Sequence, residues 1–444
     1  MPPTKAISTR GIALEALRRI WERGTKPKMA IEELSHSLDN RERSFLMELV
    51  YGVLRRRDTL DWALHKFLRR PSGLHEESRN NLRLAAYQIL FMRVQDWAAV
   101  NEAVELEKRN GRPEVVNAVL RSLLRSPVHE RLSFDSVEKK GPVPYIALLT
   151  SHPSWLIKRW VRRFGEEGAR ELADANNRIP PLTLRVNTLC STREQLLEGL
   201  GSIGIAGELS RFSPDGIRLK GFPIVKELST LKHSFIVQDE AAQLITYLLE
   251  PKPGERILDA CASPGGKTTH IAQMMKDRGE ILALEADERR MPQLRENVSN
   301  LRMNSITPLH RDFRELNTSR HAPFDKILLD APCSAVGVIR RNPDIKYRRK
   351  REDLNEFKTK QLVMLNAASK MLKPGGSMVY SVCSTEPEEG EEVVNEFLKD
   401  SADFYIIDSS LPFLGKFMEK GLFRTYPHIH DMDGFFGVRL CKRV

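Results

Sequence analysis

The chain has 444 residues, 41% hydrophobic and 29% charged, a balance that supports roughly two or three globular domains with real cores. No run approaches the roughly 18 apolar residues of a membrane span, and the opening Met1-Pro-Pro-Thr-Lys-Ala6 holds no apolar signal core, so a cytosolic, membrane-free protein is expected. The formal charge of +11 and the pI near 9.4 favour a polyanionic partner, most simply nucleic acid.

The basic excess is concentrated early: residues 1–140 carry 26 Lys/Arg and 19 Asp/Glu, against 44 and 40 in the remainder. The five cysteines (Cys190, Cys261, Cys333, Cys383 and Cys441) are scattered and form no C-x-x-C pair, which argues against a disulfide framework and a structural zinc site.

Residues 5–126 read as helix after helix. Leu14, Leu17 and Trp21 recur at helical spacing, and Asp39-Asn-Arg-Glu42 fits a capping box before Phe45, Leu46, Leu49, Val50 and Val53. Segments 77–93, 98–109 and 113–125 carry similar stripes, broken at Arg70-Pro-Ser-Gly73 and Asn110-Gly-Arg-Pro113. Arg55-Arg56-Arg57 is the densest basic spot, open to two readings: a solvated helix end or an RNA contact. After a break near Lys139-Lys-Gly-Pro-Val-Pro144, residues 145–235 mix helices (Trp155–Phe164, Ala169–Asn176) with extended pieces at Leu182–Val186 and Gly216–Leu219. From about 236, β runs at Arg256–Ala260, Glu280–Glu285, Phe324–Leu329 and Gly376–Tyr380 alternate with helices. That alternation predicts a mostly parallel, doubly wound α/β domain.

Ile257-Leu-Asp-Ala-Cys-Ala-Ser-Pro-Gly-Gly-Lys-Thr-Thr-His270 is a strand, a Gly-rich turn and a helix start. In a doubly wound sheet the first such turn borders the ligand crevice. A Walker A loop fails because Cys261 stands where its first glycine is required, and G-x-G-x-x-G is absent. A nucleoside ligand without a pyrophosphate remains, and S-adenosylmethionine fits. Glu285, ending the second strand, supplies the acid for the ribose hydroxyls, and Asp312, beyond a third strand, addresses the adenine end.

Asp330-Ala-Pro-Cys-Ser334 follows the run Ile327–Leu329, and Cys383-Ser384 follows Ser377–Tyr380. If the two strands are neighbours, Asp330, Cys333 and Cys383 converge at the C-terminal sheet edge where ligands bind. Carbon 5 of a pyrimidine is a poor nucleophile toward a methyl sulfonium. Thiolate attack at C6 turns the ring into an enamine that accepts the methyl at C5, after which the C5 proton leaves and the cysteine is expelled. Asp330 is suited to bond the base edge at N3/N4, and Lys267 to add positive charge. Chemistry alone leaves open which of the two thiols attacks. His428-Ile-His430 lacks a second ligand cluster and reads as loop rather than metal site, while Cys190 and Cys441 read as structural.

The chain resembles the bacterial 16S rRNA cytosine-5 methyltransferases of the Sun/Fmu type, within the NOL1/NOP2/Sun family. The resemblance rests on Cys261-Ala-Ser-Pro-Gly-Gly-Lys267, on Leu329-Asp-Ala-Pro-Cys-Ser334 continuing to Gly337-Val-Ile-Arg-Arg-Asn-Pro-Asp344, and on Tyr380-Ser-Val-Cys-Ser-Thr-Glu-Pro-Glu-Glu389. Val237-Gln-Asp-Glu-Ala-Ala-Gln243 and Asp433-Gly-Phe-Phe436 match as well. It implies Cys383 as nucleophile, Cys333 in resolving the adduct, Asp330 and Lys267 beside them, and a donor site at Cys261, Ala262, Ser263, Pro264, Gly265, Gly266, Lys267, Glu285, Asp312 and Asp330. Ser263 stands where alanine is common and Glu285 where aspartate is. Val100-Asn-Glu-Ala-Val-Glu-Leu106 and Val116-Asn-Ala-Val-Leu-Arg121 resemble a NusB-like RNA-binding domain, while Ser151-His-Pro-Ser-Trp155 and Leu182-Thr-Leu-Arg-Val-Asn187 resemble the family's pre-catalytic module. The implied organisation is an all-α NusB-like domain (1–140), an α+β RNA-binding module (141–235) and a Rossmann-like S-adenosylmethionine-dependent catalytic domain (236–444). The implied partner is 16S ribosomal RNA or a small-subunit assembly intermediate, met by a monomer without a metal.

Overall fold

The computed structural model describes residues 8–68, 73–108, 111–221, 227–316 and 323–444. The chain divides into two compact units, one running to Asn177 and including Asn342–Arg348, the other comprising Arg178–Arg341 and Arg349–Val444. The breaks expected at Arg70–Ser72 and Asn110 lie outside the described residues.

In the first unit, helices Thr9–Glu22, Pro27–Leu34, Asn40–His65, Glu76–Phe91, Asp96–Glu107 and Pro113–Arg125 form the N-terminal bundle. Several starts are encoded locally. The Ser8 side chain accepts from Gly11 N–H, and Asp39 and Glu42 form the expected reciprocal capping box. Pro27 and Pro113 occupy helix starts where a missing N–H costs nothing. Leu14, Leu17, Leu46, Leu49, Val53, Leu82 and Leu120 share one core, each burial contributing about 1.5–3 kcal/mol. Gly52 is required by close approach, because a Cβ there would stand 2.0 Å from the Tyr87 ring.

Of Arg55, Arg56 and Arg57, Arg55 is not the solvated helix end that was one of the two readings, and the other two are half-buried. Arg55 is buried, with its guanidinium 5.5 Å from the Tyr51 ring centre. Arg56 lies over Phe91 and donates to Leu149 O at 3.2 Å. Arg57 stacks 3.6 Å from the centre of Tyr347 and also faces Trp21. Aromatic faces and a carbonyl take the place of part of the water around the cluster. Lys346 of the returning segment is buried beside it, donating to Arg55 O, Thr150 O and Asn177 Oδ1. Burial pushes that amine well below its ordinary range, and nearby Arg56 pushes the same way. Helix Pro142–Thr150 and helix Ser154–Asn177, interrupted at Gly165 (φ 74°), complete this unit.

The second unit contains two sheets. The smaller is antiparallel, with strands β1 (Thr183–Val186), β2 (Gly207–Leu209), β3 (Gly216–Leu219) and β4 (Phe235–Val237) in the order β2-β3-β1-β4. The larger holds β5 (Arg256–Asp259), β6 (Glu280–Glu285), β7 (Ile306–His310), β8 (Phe324–Asp330), β9 (Leu372–Val382), β10 (Phe404–Ile406), β11 (Met418–Glu419), β12 (Leu422–Arg424) and β13 (Phe436–Lys442). Its order is β11-β12-β13-β9-β8-β5-β6-β7, with β10 beside β13. The stretch β9-β8-β5-β6-β7 is parallel, and β10 to β13 extend it antiparallel.

Adjacent strand residues face opposite sides. Ile257, Ile281, Leu328 and Val379 join the core containing Leu244, Ile271 and Leu294 from helices Glu240–Leu249, Gly266–Met274 and Met291–Asn300. Leu258, Leu282, Ile327 and Met378 join the core containing Leu365 and Phe397 from helices Asp353–Ser369 and Glu391–Asp400. Helices on both faces make the sheet doubly wound, as expected.

Behind helix Gly266–Met274 sits a buried polar knot. His270 Nε2, Tyr247 OH and Gln273 Nε2 all meet Asp215 Oδ2 at 2.8–3.0 Å. Burial pushes the His270 imidazole down to about 4, and Arg185 adds to the fall. Asp215 also lies below its ordinary value, because the bonds from His270 and Tyr247 outweigh its burial. An unfolded chain therefore binds protons on this pair at higher pH than the folded one does. Stability from His270 is full above about pH 6.5 and is lost as pH falls toward about 4; Asp215 adds to the loss only below its ordinary value of 3.8. Urea melts between pH 7 and pH 4 are expected to lose on the order of 3 kcal/mol through His270, and His270→Gln is expected to flatten that part of the slope.

Candidate active site

Strand β5 sits at the point where the chain order reverses, with β6 on one side and β8 on the other. In such sheets the crevice beyond the carboxyl ends binds ligands. Here those ends present Asp259, Glu285, Asp330 and, just past β9, Cys383.

The loop after β5 continues the ladder before it turns: Ala260 N–H donates to Leu328 O and Ala262 N–H to Leu284 O. Ser263-Pro264 is cis, and Gly265 takes φ 100°, where a Cβ would meet Leu294 Cδ1 at 2.9 Å. Only glycine suits both demands. The helix then begins at Gly266. Arg185 of β1, completely buried, secures that start from below, donating to Thr269 Oγ1 at 2.9 Å and to Gly266 O and Gln238 Oε1. Burial pushes its guanidinium down to about 9.

Lys267, one residue into the helix, reaches across to β8. Its Nζ is 2.6 Å from Asp330 Oδ2 and 4.9 Å from the centre of the Phe435 ring. Burial opposes the ammonium, but Asp330, Cys383 and Asp259 together hold its pKa above the ordinary value. Ser381, opposite Asp330 in the β8–β9 register, donates to the other Asp330 oxygen at 2.7 Å. Asp330 is thereby aimed by one partner from each flanking strand or helix.

Asp259 lies completely buried beneath the loop, receiving Thr268 Oγ1–H at 2.6 Å. Burial raises it to about 7, with Asp330 adding to the rise. Cys261 stands among Asp259, Asp330 and Glu285. Burial and those three acids raise its thiol well above the ordinary value, so it stays protonated. Glu285 is buried, accepts from Asp287 N–H, and has Arg290 Nη1 3.2 Å from its second oxygen. Arg290 also bonds Ser263 O. Asp312 is turned toward its own loop: Arg314 takes both carboxylate oxygens and lowers its pKa. The structure thus gathers Cys261, Ser263, Lys267, Glu285 and Asp330 around the loop, while Asp312 lies engaged by Arg314.

Cys333 and Cys383 meet as the adjacency of β8 and β9 requires, their sulfurs 3.0 Å apart, both free thiols. The bond to Cys383 and burial raise the Cys333 thiol well above its ordinary value, and Glu389 adds to the rise. Backbone contacts fix both loops. Gly337 N–H donates to Cys383 O and Gly434 N–H to Gly337 O, an approach so close that a Cβ on Gly337 would stand 1.9 Å from Gly434 O.

Three segments of the sequence pattern close around a buried four-charge network. Arg340 bonds Asp433 at 2.8 Å, Arg341 bonds Asp433 and Asp239 at 2.6 Å each, and Arg340 reaches Asp239 at 3.4 Å. This network sets the paths of the Pro-Cys loop and of the segment carrying Phe435. Sequence reading assigned no role to Asp239, Arg340, Arg341, Asp433, Asp259 or Glu389; for all but Asp259, the only signal was charge inside matched motifs.

Residues 7–125 match the NusB family, 152–226 an RsmF/B-like ferredoxin-like domain, and 246–441 the family described as 16S rRNA methyltransferase RsmB/F. A probable ribosomal RNA small subunit methyltransferase B from Bacillus subtilis is 35% identical across 99% of this chain and 100% of its own. The chain belongs to the RsmB/F methyltransferase family. Among solved structures, PH0851 is 28% identical, with a TM-score of 0.80 over 98% of this chain and 99% of its own. NSun6 from Pyrococcus horikoshii, solved with SFG, is 25% identical, with a TM-score of 0.58 over 65% of this chain and 98% of its own. The helical NusB domain and the Rossmann-like methyltransferase fold agree with the fold class expected from sequence.

The charge network supplies a stability test. Asp433→Asn leaves buried Arg340 short of a counter-charge and is expected to cost about 3–5 kcal/mol. Glu280→Gln, which breaks the more exposed Arg256–Glu280 pair, should cost no more than about 1 kcal/mol. Denaturant melts of the two variants measure the contrast.

Proposed function

We propose that this methyltransferase transfers a methyl group from S-adenosylmethionine to C5 of a cytosine in 16S ribosomal RNA, through a covalent adduct between Cys383 and C6. The observation that carries the reading is the pair of thiols 3.0 Å apart at neighbouring strand ends, beside the Lys267–Asp330 ion pair. The methyl donor supplies an electrophilic methyl on a sulfonium. Cys261–Lys267, Glu285, Asp312 and Asp330 would hold it. The residues fit such a ligand: Glu285 Oε2 is buried and accepts no hydrogen bond, with only the Arg290 guanidinium 3.2 Å away, and Glu285 ends the strand next to the glycine loop.

In this scheme Cys383 attacks C6 as thiolate, and the C5–C6 electron pair moves onto the ring. Asp330 bonds the base edge at N3/N4, accepting from the N4 amino group, and Lys267 balances the charge that builds on the ring. C5 would take the methyl as the methyl–sulfonium bond breaks and its electron pair stays on the donor sulfur as a neutral thioether; the C5 proton then leaves to water, the C5–H electrons re-form the double bond, and the C6–S electrons return to Cys383. Cys333, held protonated beside it, donates its S–H to the departing sulfur and so assists release. The electrostatics favour this division of roles: the Lys267 ammonium interacts with Cys383, whereas buried Glu389 faces Cys333.

In this reading the chain acts as a monomer in the cytoplasm, on 16S rRNA or a small-subunit assembly intermediate; no helix among the described residues is long and apolar enough to cross a membrane. Residues 1–140 and 141–235 grip RNA and 236–444 perform the chemistry. In the helical part, Trp97 is 67% exposed and borders, with Arg93, Asn101 and Arg121, a cavity of about 580 Å³. An open indole flanked by guanidiniums suits an unstacked base and its phosphate.

Cys383→Ala is expected to lose methyl transfer by roughly 1,000-fold or more, read by tritium incorporation into 16S rRNA with bisulfite mapping of the product. Cys333→Ala is expected to accumulate a protein–RNA adduct visible as a retarded band on denaturing gels. Methyl transfer surviving in Cys383→Ala while lost in Cys333→Ala would reverse the assignment. Separately, Trp97→Ala should weaken RNA binding by about 1–3 kcal/mol, measured by filter binding at fixed salt, with little change in the KM for S-adenosylmethionine.

A further inference from the structure

Each proposed catalytic cysteine is followed by a serine, and both serines end on one carboxylate. Glu389 is completely buried. Its Oε1 accepts from Ser334 N–H at 2.7 Å and Gln361 Nε2–H at 3.2 Å; its Oε2 accepts from the hydroxyls of Ser334 and, at 2.6 Å, Ser384. Its main-chain oxygen accepts from Tyr380 OH at 2.6 Å. Gln361 also holds Pro332 O, and Arg349 holds Ser334 O. Among the described residues no Lys, Arg or His pairs with the Glu389 carboxylate. A buried carboxylate without a cation is costly unless its lone pairs are filled, and here all four donors come from elements that carry or support the two thiols.

We propose that Glu389 is a positioning residue for the two-thiol chemistry: by tying Ser334 to Ser384 it fixes the spacing and orientation of Cys333 against Cys383. The inference rests on the two-thiol reading above and adds a part that reading does not contain. An amide at position 389 removes the negative charge and, with its oxygen kept on Ser334 N–H and Gln361 Nε2–H, forces both serine hydroxyls to turn from donors into acceptors, so the four bonds are not reproduced as they stand. Burial raises the Glu389 pKa, and its charge in turn helps keep Cys333 protonated.

Phenylarsine oxide chelates only thiols held close together, and its binding needs neither RNA nor methyl donor. The intact chain should bind one equivalent tightly, and Cys333→Ala or Cys383→Ala should lose that binding. Glu389→Gln and the double variant Ser334→Ala/Ser384→Ala are expected to weaken chelation at least tenfold. They should also lower kcat for RNA methylation at least tenfold, with the KM for S-adenosylmethionine within twofold of the parent. Folded variants that chelate arsenic like the parent overturn the proposal. So does unfolding of both variants, which would mark Glu389 as a stability element alone. If Cys383→Ala methylates normally, the functional reading fails, and the chelation result still decides the role of Glu389.

Discussion

The ion pair between Lys267 and Asp330 is the contact on which the site's geometry depends. It joins the helix after β5 to the end of β8, the two strands at the point of chain reversal. Neither group would be stable there alone: the ammonium is buried, and the carboxylate shares its surroundings with Asp259 and Cys261. A parallel sheet brings strand ends to one edge without choosing their chemistry. This pair converts the edge into a crevice with a cationic point facing Cys383 and a carboxylate oriented by Ser381.

Around that point, support comes in layers that use different physics. Arg185 braces the glycine loop from the small sheet through hydrogen bonds alone. The Asp239–Arg340–Arg341–Asp433 network braces the loops beyond β8 through paired charges. Gly337 and Gly434 let two backbones touch where any side chain would part them. Buried polar groups of this kind are expensive unless fully satisfied, which favours a single arrangement of the loops over many near-equivalent ones.

Much of this was legible in the sequence. The capping box at Asp39–Glu42, the strand–helix alternation through β5, β6, β8 and β9, and the placement of Cys333 and Cys383 at strand ends follow from local pattern; that the two strands are neighbours comes from the sheet order. The antiparallel strands β10 to β12 were not legible, because runs of two or three residues carry no period. The burial of Arg55 and the aromatic partners of Arg56 and Arg57 were not legible, because charge density says nothing about the aromatic faces waiting for them. Glu389 was invisible because its partners, Ser334 and Gln361, are distant in sequence.

The choice between the two thiols is where structure adds what composition and spacing could not. A thiolate is favoured by nearby positive charge and disfavoured by nearby negative charge. Lys267 interacts with Cys383, whereas Glu389 raises Cys333. With the sulfurs 3.0 Å apart, ionising both would set two negative charges in contact. The bond to Cys383 and burial favour the protonated form of Cys333, and Glu389 adds to that. This asymmetry supports the proposed division of roles, in which Cys383 attacks and Cys333 donates to the departing sulfur.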